Sequence, residues 1–220
     1  MALFYNAYTY YYSCFNFVFP SIYILRKIFF VIDAYSVKVK IFFTLLFNLV
    51  IFNFAVADTS IETRIEIDTS KLQLVVMRED NILLLIKDIS IGRFGSSRIR
   101  IRGSNITPIG TFKISSIRKS QNFYKFFALE YPNRENADLA LQENRIDFAT
   151  WEEITKAIDK NRPVPQNTLL GGHLGIHGIG KGDIDIHRRY NWTNGCIAIT
   201  NEQIDQLSHW VRPGMRVTIF

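Results

Sequence analysis

The chain has 220 residues, 48% of them hydrophobic and 21% charged, with a formal net charge of +6. That is an ordinary globular composition with an apolar excess. Over residues 58–220 the balance is only +3, too mild to argue for nucleic acid, so no nucleic-acid partner is expected.

Much of the apolar excess lies at the front. Lys38 and Lys40 precede an uncharged run from Ile41 to Phe54, followed by Ala55-Val56-Ala57 and Asp58. A basic region, a short apolar core and an A-x-A site predict a secretory signal peptide cleaved after Ala57. The run is short for a membrane span, although an uncleaved inner-membrane anchor facing the periplasm would use the same residues. Residues 1–36, with Tyr10, Tyr11, Tyr12, Cys14 and the patch Ile28 to Ile32, fit neither picture. Val37 or Val39 would be natural start sites, making that stretch a start assigned too far upstream. The expected organisation is an extension plus leader over 1–57 and one domain over 58–220. That domain carries 22 basic and 19 acidic groups, is periplasmic or secreted, and keeps no stable membrane association after cleavage.

Ile61 to Ile67 alternates at period two, as a half-buried strand does. Leu72 to Val76 and Ile82 to Ile86 follow as a hairpin around the turn-prone Arg78-Glu79-Asp80-Asn81. Ile89 to Gly92 and Arg98 to Arg102 are shorter strand candidates, the arginines of the latter reading as a solvated face. Thr107-Pro108-Ile109-Gly110-Thr111-Phe112 is a proline-glycine turn entering a further strand. Asp138 to Asn144 reads as helical. Thr150-Trp151-Glu152-Glu153 has capping-box spacing, with Trp151, Ile154 and Ile158 on one face of a helix stopped by Pro163 and Pro165. Ile176-His177 ends a strand, and Ile197 to Ile199 forms another. Thr200 and Gln203 cap a helix burying Ile204, Leu207 and Val211, and Pro213-Gly214 turns into a closing strand from Arg216 to Phe220. The sum is a mainly β domain with two or three inserted helices.

Within 58–220 the only cysteine is Cys196, so no internal disulfide forms. It sits in Trp192-Thr193-Asn194-Gly195-Cys196-Ile197, a tight polar turn rather than the interior of an element. With His177-Gly178 upstream, this reads as a nucleophilic thiol with a histidine base. If their strands are neighbours, the pair rests near neutral pH partly as thiolate and imidazolium. A backbone carbonyl such as that of Gly178 suffices to hold the imidazole tautomer. The peptide groups of Gly195 and Cys196 are natural oxyanion donors. Asn194 reads equally as an amide donor and as a turn former. His173, His177, His187 and Cys196 would supply four zinc ligands, but the surrounding glycines disfavour the helix that an i, i+4 pair needs. No metal and no cofactor are therefore expected. His209 reads as structural.

His177-Gly178, then fourteen more residues to Thr193-x-Gly195-Cys196-Ile197, resembles the L,D-transpeptidase catalytic domain family (YkuD-like). Thr107-Pro108-Ile109-Gly110-Thr111-Phe112 and Tyr131-Pro132-Asn133 are further points of likeness, and the resemblance covers Ile61 to Phe220. It implies an L,D-transpeptidase-like β-sandwich acting on peptidoglycan stem peptides. The cysteine would attack the amide before a terminal D-alanine, and the thioester would pass to an amine on a second stem or a wall-attached protein. Two positions depart from the family pattern: Asn194 replaces the usual histidine before Gly-Cys, and Ala198 replaces the usual arginine. The variant resembles a side branch that includes hydrolytic members. Transfer, hydrolysis to a peptidoglycan amidase or carboxypeptidase, and a non-catalytic wall-binding module therefore all stay open. Arg188 or Arg189 would replace the lost arginine in binding a substrate carboxylate, with a solvated loop as the plainer reading, and His187 would line the site.

Overall fold

A computed structural model describes residues 62–220; the expected extension and leader lie outside the described residues. Three strands open the domain, β1 (Thr63–Asp68), β2 (Gln73–Arg78) and β3 (Asn81–Lys87), joined as successive antiparallel pairs. Alternation decides their faces: Ile65, Ile67, Leu74 and Val76 are fully buried, while Arg64 and Glu66 pair at 2.7 Å on the other side of β1. β4 (Ser96–Ser97) and β5 (Thr107–Pro108) form a short parallel pair. β6 (Gly110–Ser120) and β7 (Tyr124–Leu129) follow, then α1 (Arg134–Gln142) and α2 (Phe148–Asp159). β8 (Gly175–Gly178), α3 (Ile184–Arg189), β9 (Ile197–Ile199), α4 (Asn201–Ser208) and β10 (Arg216–Ile219) complete the domain.

Eight strands form one mixed sheet in the order β3-β2-β1-β10-β6-β7-β8-β9. The eleven-residue β6 joins its halves: Gly110 to Lys113 pair with β10, and Ile114 to Ser120 pair with β7 across a register shift. Ile65, Val217 and Phe112 from one half share a single buried cluster with Phe127, Ile176, Ile197 and Ile199 from the other. Both halves thus close on one core. The domain is mainly β with a few helices, as the sequence predicts.

Several local expectations are corrected. Arg98 to Arg102 forms no strand, and Arg100 is 6% exposed whereas Ile101 is 39% exposed. Ile89 to Gly92 contributes only isolated bridges, Ser90 to Ala198 and Gly92 to Thr193. The helices start earlier than predicted. Asn133 caps α1 by accepting from Asn136 N at 2.8 Å, and Asp147 caps α2 by accepting from Thr150 N at 2.8 Å. Thr150 therefore lies inside α2. α4 begins where its capping box places it, with Thr200 and Gln203 satisfying each other's backbone N–H. β7 and α3 carry no expectation from the sequence, and the helices number four among the described residues.

The β8–β9 pairing positions the chemistry. The two strands run parallel, with Ile176 opposite Ile197, His177 opposite Ala198 and Gly178 opposite Ile199. Directly paired residues project to the same face of a sheet, and residues two apart on one strand do likewise. His177, Ala198 and Cys196, one residue ahead of β9, therefore share a face, while Ile176, Ile197 and Ile199 fill the core behind them.

Candidate active site

The imidazole of His177 is 2% exposed and packed among aromatic rings. Phe123 lies 4.2 Å from it between ring centroids, Phe126 stacks at 5.9 Å, and Trp192 meets it edge-on at 5.9 Å. Nδ1 is 2.8 Å from the Gly178 carbonyl. A carbonyl only accepts, so Nδ1 carries the proton and Nε2 keeps its lone pair. No group among the described residues hydrogen-bonds Nε2. A Cβ at Gly178 would crowd Asn201 Oδ1 at 2.6 Å and the Phe123 carbonyl at 3.0 Å. Burial drives the His177 pKa down to about 4, with the Gly178 carbonyl opposing the shift and the nearby His187 adding to it.

The nucleophile loop is shaped by its own hydroxyl. Thr193 Oγ1 donates to the Cys196 carbonyl at 2.7 Å and accepts from Gly195 N at 3.1 Å. Gly195 has φ +124, a conformation side chains rarely adopt, and a Cβ there would meet Ile106 O at 2.6 Å. Thr107, from the Thr-Pro segment, donates to Gly195 O at 3.1 Å and accepts from Gly92 N at 2.8 Å. The Gly195 N–H is thus consumed within the loop, which corrects its assignment as an oxyanion donor. The Cys196 N–H has no acceptor among the described residues.

Cys196 itself is half-buried and packs against the core. Its thiol is directed at the His173 carbonyl, 3.7 Å away, and no hydrogen bond joins it to His177 among the described residues. Desolvation raises the thiol pKa to about 11, opposed by the Gly175 backbone and by the charge of Arg100. The expected thiolate–imidazolium pair is therefore corrected. At neutral pH both groups rest uncharged, because each is desolvated and the two are not hydrogen-bonded. The arrangement suits general-base catalysis, in which Nε2 removes the proton as sulfur attacks.

The other candidates divide. Asn194 is exposed, and its Oδ1 accepts from Arg93 Nη2 at 2.8 Å. Its side chain is thereby engaged by Arg93, which also reaches Trp192 O at 3.2 Å. His187 is 3% exposed and accepts from Trp192 Nε1 at 3.3 Å; it supports the indole from behind instead of lining an open site. Arg188 and Arg189 lie exposed in the last turn of α3. His173, exposed and at φ +55, is held by Gln166 through its N–H at 2.6 Å. No group of three or more potential metal ligands exists among the described residues.

Arg100 is the residue that sequence reasoning misplaced. Its guanidinium donates to three carbonyls: Ile106 O at 3.0 Å, Leu170 O at 2.7 Å and Asn194 O at 3.4 Å. It also lies over the Tyr131 ring, at 5.5 Å. One buried cation, with no carboxylate partner among the described residues, ties the Thr-Pro segment, the His173 segment and the nucleophile loop together. Its charge is also one of the groups that oppose the rise in the thiol pKa.

Two outcomes follow from these charges. A histidine whose pKa is depressed on folding is protonated first in the unfolded chain. Its contribution is thus full above about pH 6.5 and lost as pH falls toward 4. Urea midpoints at pH 7.5 and 4.5 should show a wild-type loss exceeding that of His177→Phe by up to about 3 kcal/mol. Removing the Arg100 charge should raise the thiol pKa further. Arg100→Gln should slow iodoacetamide alkylation of Cys196 at pH 8 by about tenfold, one pKa unit, with Arg100→Lys recovering part of the loss.

A family model for the L,D-transpeptidase catalytic domain (YkuD) matches residues 62–219. No curated protein sequence gives a significant match. Among solved structures, the helical cell shape determining protein Pgp2 from Campylobacter jejuni is 19% identical, with 72% of this chain and 47% of that one covered and a TM-score of 0.48. The L,D-transpeptidase from Xylanimonas cellulosilytica is 15% identical, with 74% and 62% covered and a TM-score of 0.43. That from Mycobacterium smegmatis is 13% identical, with 72% and 58% covered and a TM-score of 0.40. The chain thus spans about half the length of the Pgp2 structure and about three-fifths of the other two. With the family model spanning nearly all the described residues, the chain belongs to the L,D-transpeptidase catalytic domain family.

Proposed function

We propose that the protein is a peptidoglycan-modifying cysteine acyltransferase of the L,D-transpeptidase type. The observation that carries this reading is the placement of His177 and Cys196 on one face of paired parallel strands, with Nδ1 of the imidazole bound to Gly178 O and Nε2 left as a base.

In the first half-reaction, His177 Nε2 takes the thiol proton as Cys196 Sγ attacks the carbonyl carbon before the terminal D-alanine of a stem peptide. The oxygen becomes an anion that accepts from the Cys196 N–H. The C–N bond breaks, and the leaving amine receives the proton from the imidazolium, which leaves a thioester. In the second half, an amine on another stem or a wall-attached protein attacks the thioester. His177 accepts that amine's proton and returns it to the departing sulfur. In this cycle the resting pair is neutral and charge appears only as bonds form. Burial of His177 to a pKa of about 4 keeps it an unprotonated base across the neutral range.

Export follows from the same reading: residues 1–57 act as extension and leader, and residues 58–220 work in the periplasm or outside the cell. Among the described residues no helix is long and apolar enough to cross a membrane.

Incubation with purified tetrapeptide stems, followed by product mass spectrometry, tests the reaction. Cross-linked dimers are expected from the wild type, with loss of at least a hundredfold in Cys196→Ala and in His177→Gln. Trimmed stems without dimers would mean that water is the acceptor. Intact stems would leave only a wall-binding module. The exported protein should begin at Asp58, and a mass that retains Tyr10 to Tyr12 would contradict the leader.

A further inference from the structure

The three aromatic rings around His177 differ in how they are held. Phe126 belongs to β7 and pairs directly with His177, and Phe123 comes just ahead of that strand, so the sheet places both. Trp192 lies instead in the loop between α3 and β9, four residues before Cys196. Its side chain is half-buried and meets the imidazole edge-on, at an interplanar angle of 70°. The backbone of Trp192 is tied on both sides. Its N–H donates to Ser90 Oγ at 3.2 Å, and its carbonyl accepts from Arg93 Nη2 at 3.2 Å. Neither bond sets the side-chain torsions, so the orientation of the indole depends on where its own N–H goes.

That N–H goes to His187 on α3, whose Nδ1 accepts from Trp192 Nε1 at 3.3 Å. An indole nitrogen only donates, so Nδ1 keeps its lone pair and the proton of the neutral ring sits on Nε2. Nε2 is buried and has no hydrogen-bond partner among the described residues. Leucine or phenylalanine would fill this 3%-exposed position without leaving a donor unpaired. What the histidine brings, and a hydrocarbon lacks, is the acceptor. Desolvation and the charge of Arg188 hold its pKa down against the opposing influence of Asp88, so the ring is neutral at pH 7 and the acceptor is present.

We propose that His187 is a positioning residue for the base: by accepting from Trp192 Nε1 it locks the indole as the third wall around His177, which keeps the imidazole in one orientation and away from water. The contacts run from α3 through the nucleophile loop to β8, and His187 itself need not touch substrate. An indole released from His187 would let water reach the imidazole, and a solvated imidazole charges more readily. The base would then be partly lost as a proton acceptor near neutral pH.

The effect on turnover rests on the acyl-transfer reading, whereas the effect on the imidazole does not, so the two are measured separately. NMR titration of the His177 ring, assigned with His177→Gln, reads the imidazole. In His187→Leu its pKa should rise from about 4 by about one unit. In His187→Gln, whose amide oxygen restores an acceptor, it should stay near the wild-type value. Trp192→Phe keeps a ring but removes the N–H, and should raise the pKa as His187→Leu does. Adding His187→Leu to Trp192→Phe should then change nothing further. With tetrapeptide stems, kcat should fall about tenfold in His187→Leu at unchanged KM, and His187→Gln should recover most of the loss. An unshifted His177 pKa in His187→Leu, equal shifts in His187→Leu and His187→Gln, or a further shift in the double variant would overturn the role. Should His187→Leu not fold, the wild-type Trp192 indole N–H decides: it should resist solvent exchange at neutral pH, and free exchange there would overturn the role. A protein that shows these shifts but leaves stems intact keeps the positioning role and loses the reaction. One that processes stems with an unshifted imidazole keeps the reaction and loses the role.

Discussion

The hydrogen bond from His177 Nδ1 to the Gly178 carbonyl is the contact on which the proposed chemistry depends. It spans one residue, so the strand that carries the histidine also fixes its tautomer, and no separate acidic partner is needed. Parallel pairing with β9 then puts His177 and Cys196 on one face of the sheet. Aromatic packing by Phe123, Phe126 and Trp192 completes the effect by making the charged imidazole costly. His177 is thereby neutral at rest, and desolvation keeps the Cys196 thiol protonated.

Arg100 has the corresponding role for the nucleophile. Three carbonyls, lying 6, 70 and 94 positions along the chain from Arg100, converge on its guanidinium. Thr193 and Thr107 add hydroxyl bonds that fasten the loop to itself and to the Thr-Pro segment. Gly195 is glycine because its φ of +124 and the approach of Ile106 O exclude a side chain. The loop is thus fastened at its backbone while Cys196 stays half-buried against the core.

Local signals in the sequence were easy to read, and convergent ones were not. The Thr200–Gln203 cap lies within four residues, as does the polar turn ahead of Cys196. The strand alternation of Ile65 and Ile67 needs only period two. Arg100 deceived for the same reason: Arg98-Ile99-Arg100-Ile101-Arg102 imitates a half-exposed strand, but its acceptors come from far along the chain. The neutral state of the reactive pair was equally hidden, since it depends on Phe123 and Phe126, more than fifty residues upstream of His177. Use of the Gly195 N–H by Thr193 is local, yet it depends on a loop geometry that residue identity alone does not specify.

The underlying claim remains that an uncharged imidazole draws the proton from Cys196 as the sulfur attacks. Intact-protein mass spectrometry during the first turnover of a tetrapeptide stem measures this most directly. The wild type should gain a tripeptide acyl mass on Cys196, and His177→Gln should gain it at least a hundredfold more slowly. Equal acylation rates in the two proteins, or an adduct on any residue other than Cys196, would contradict the claim.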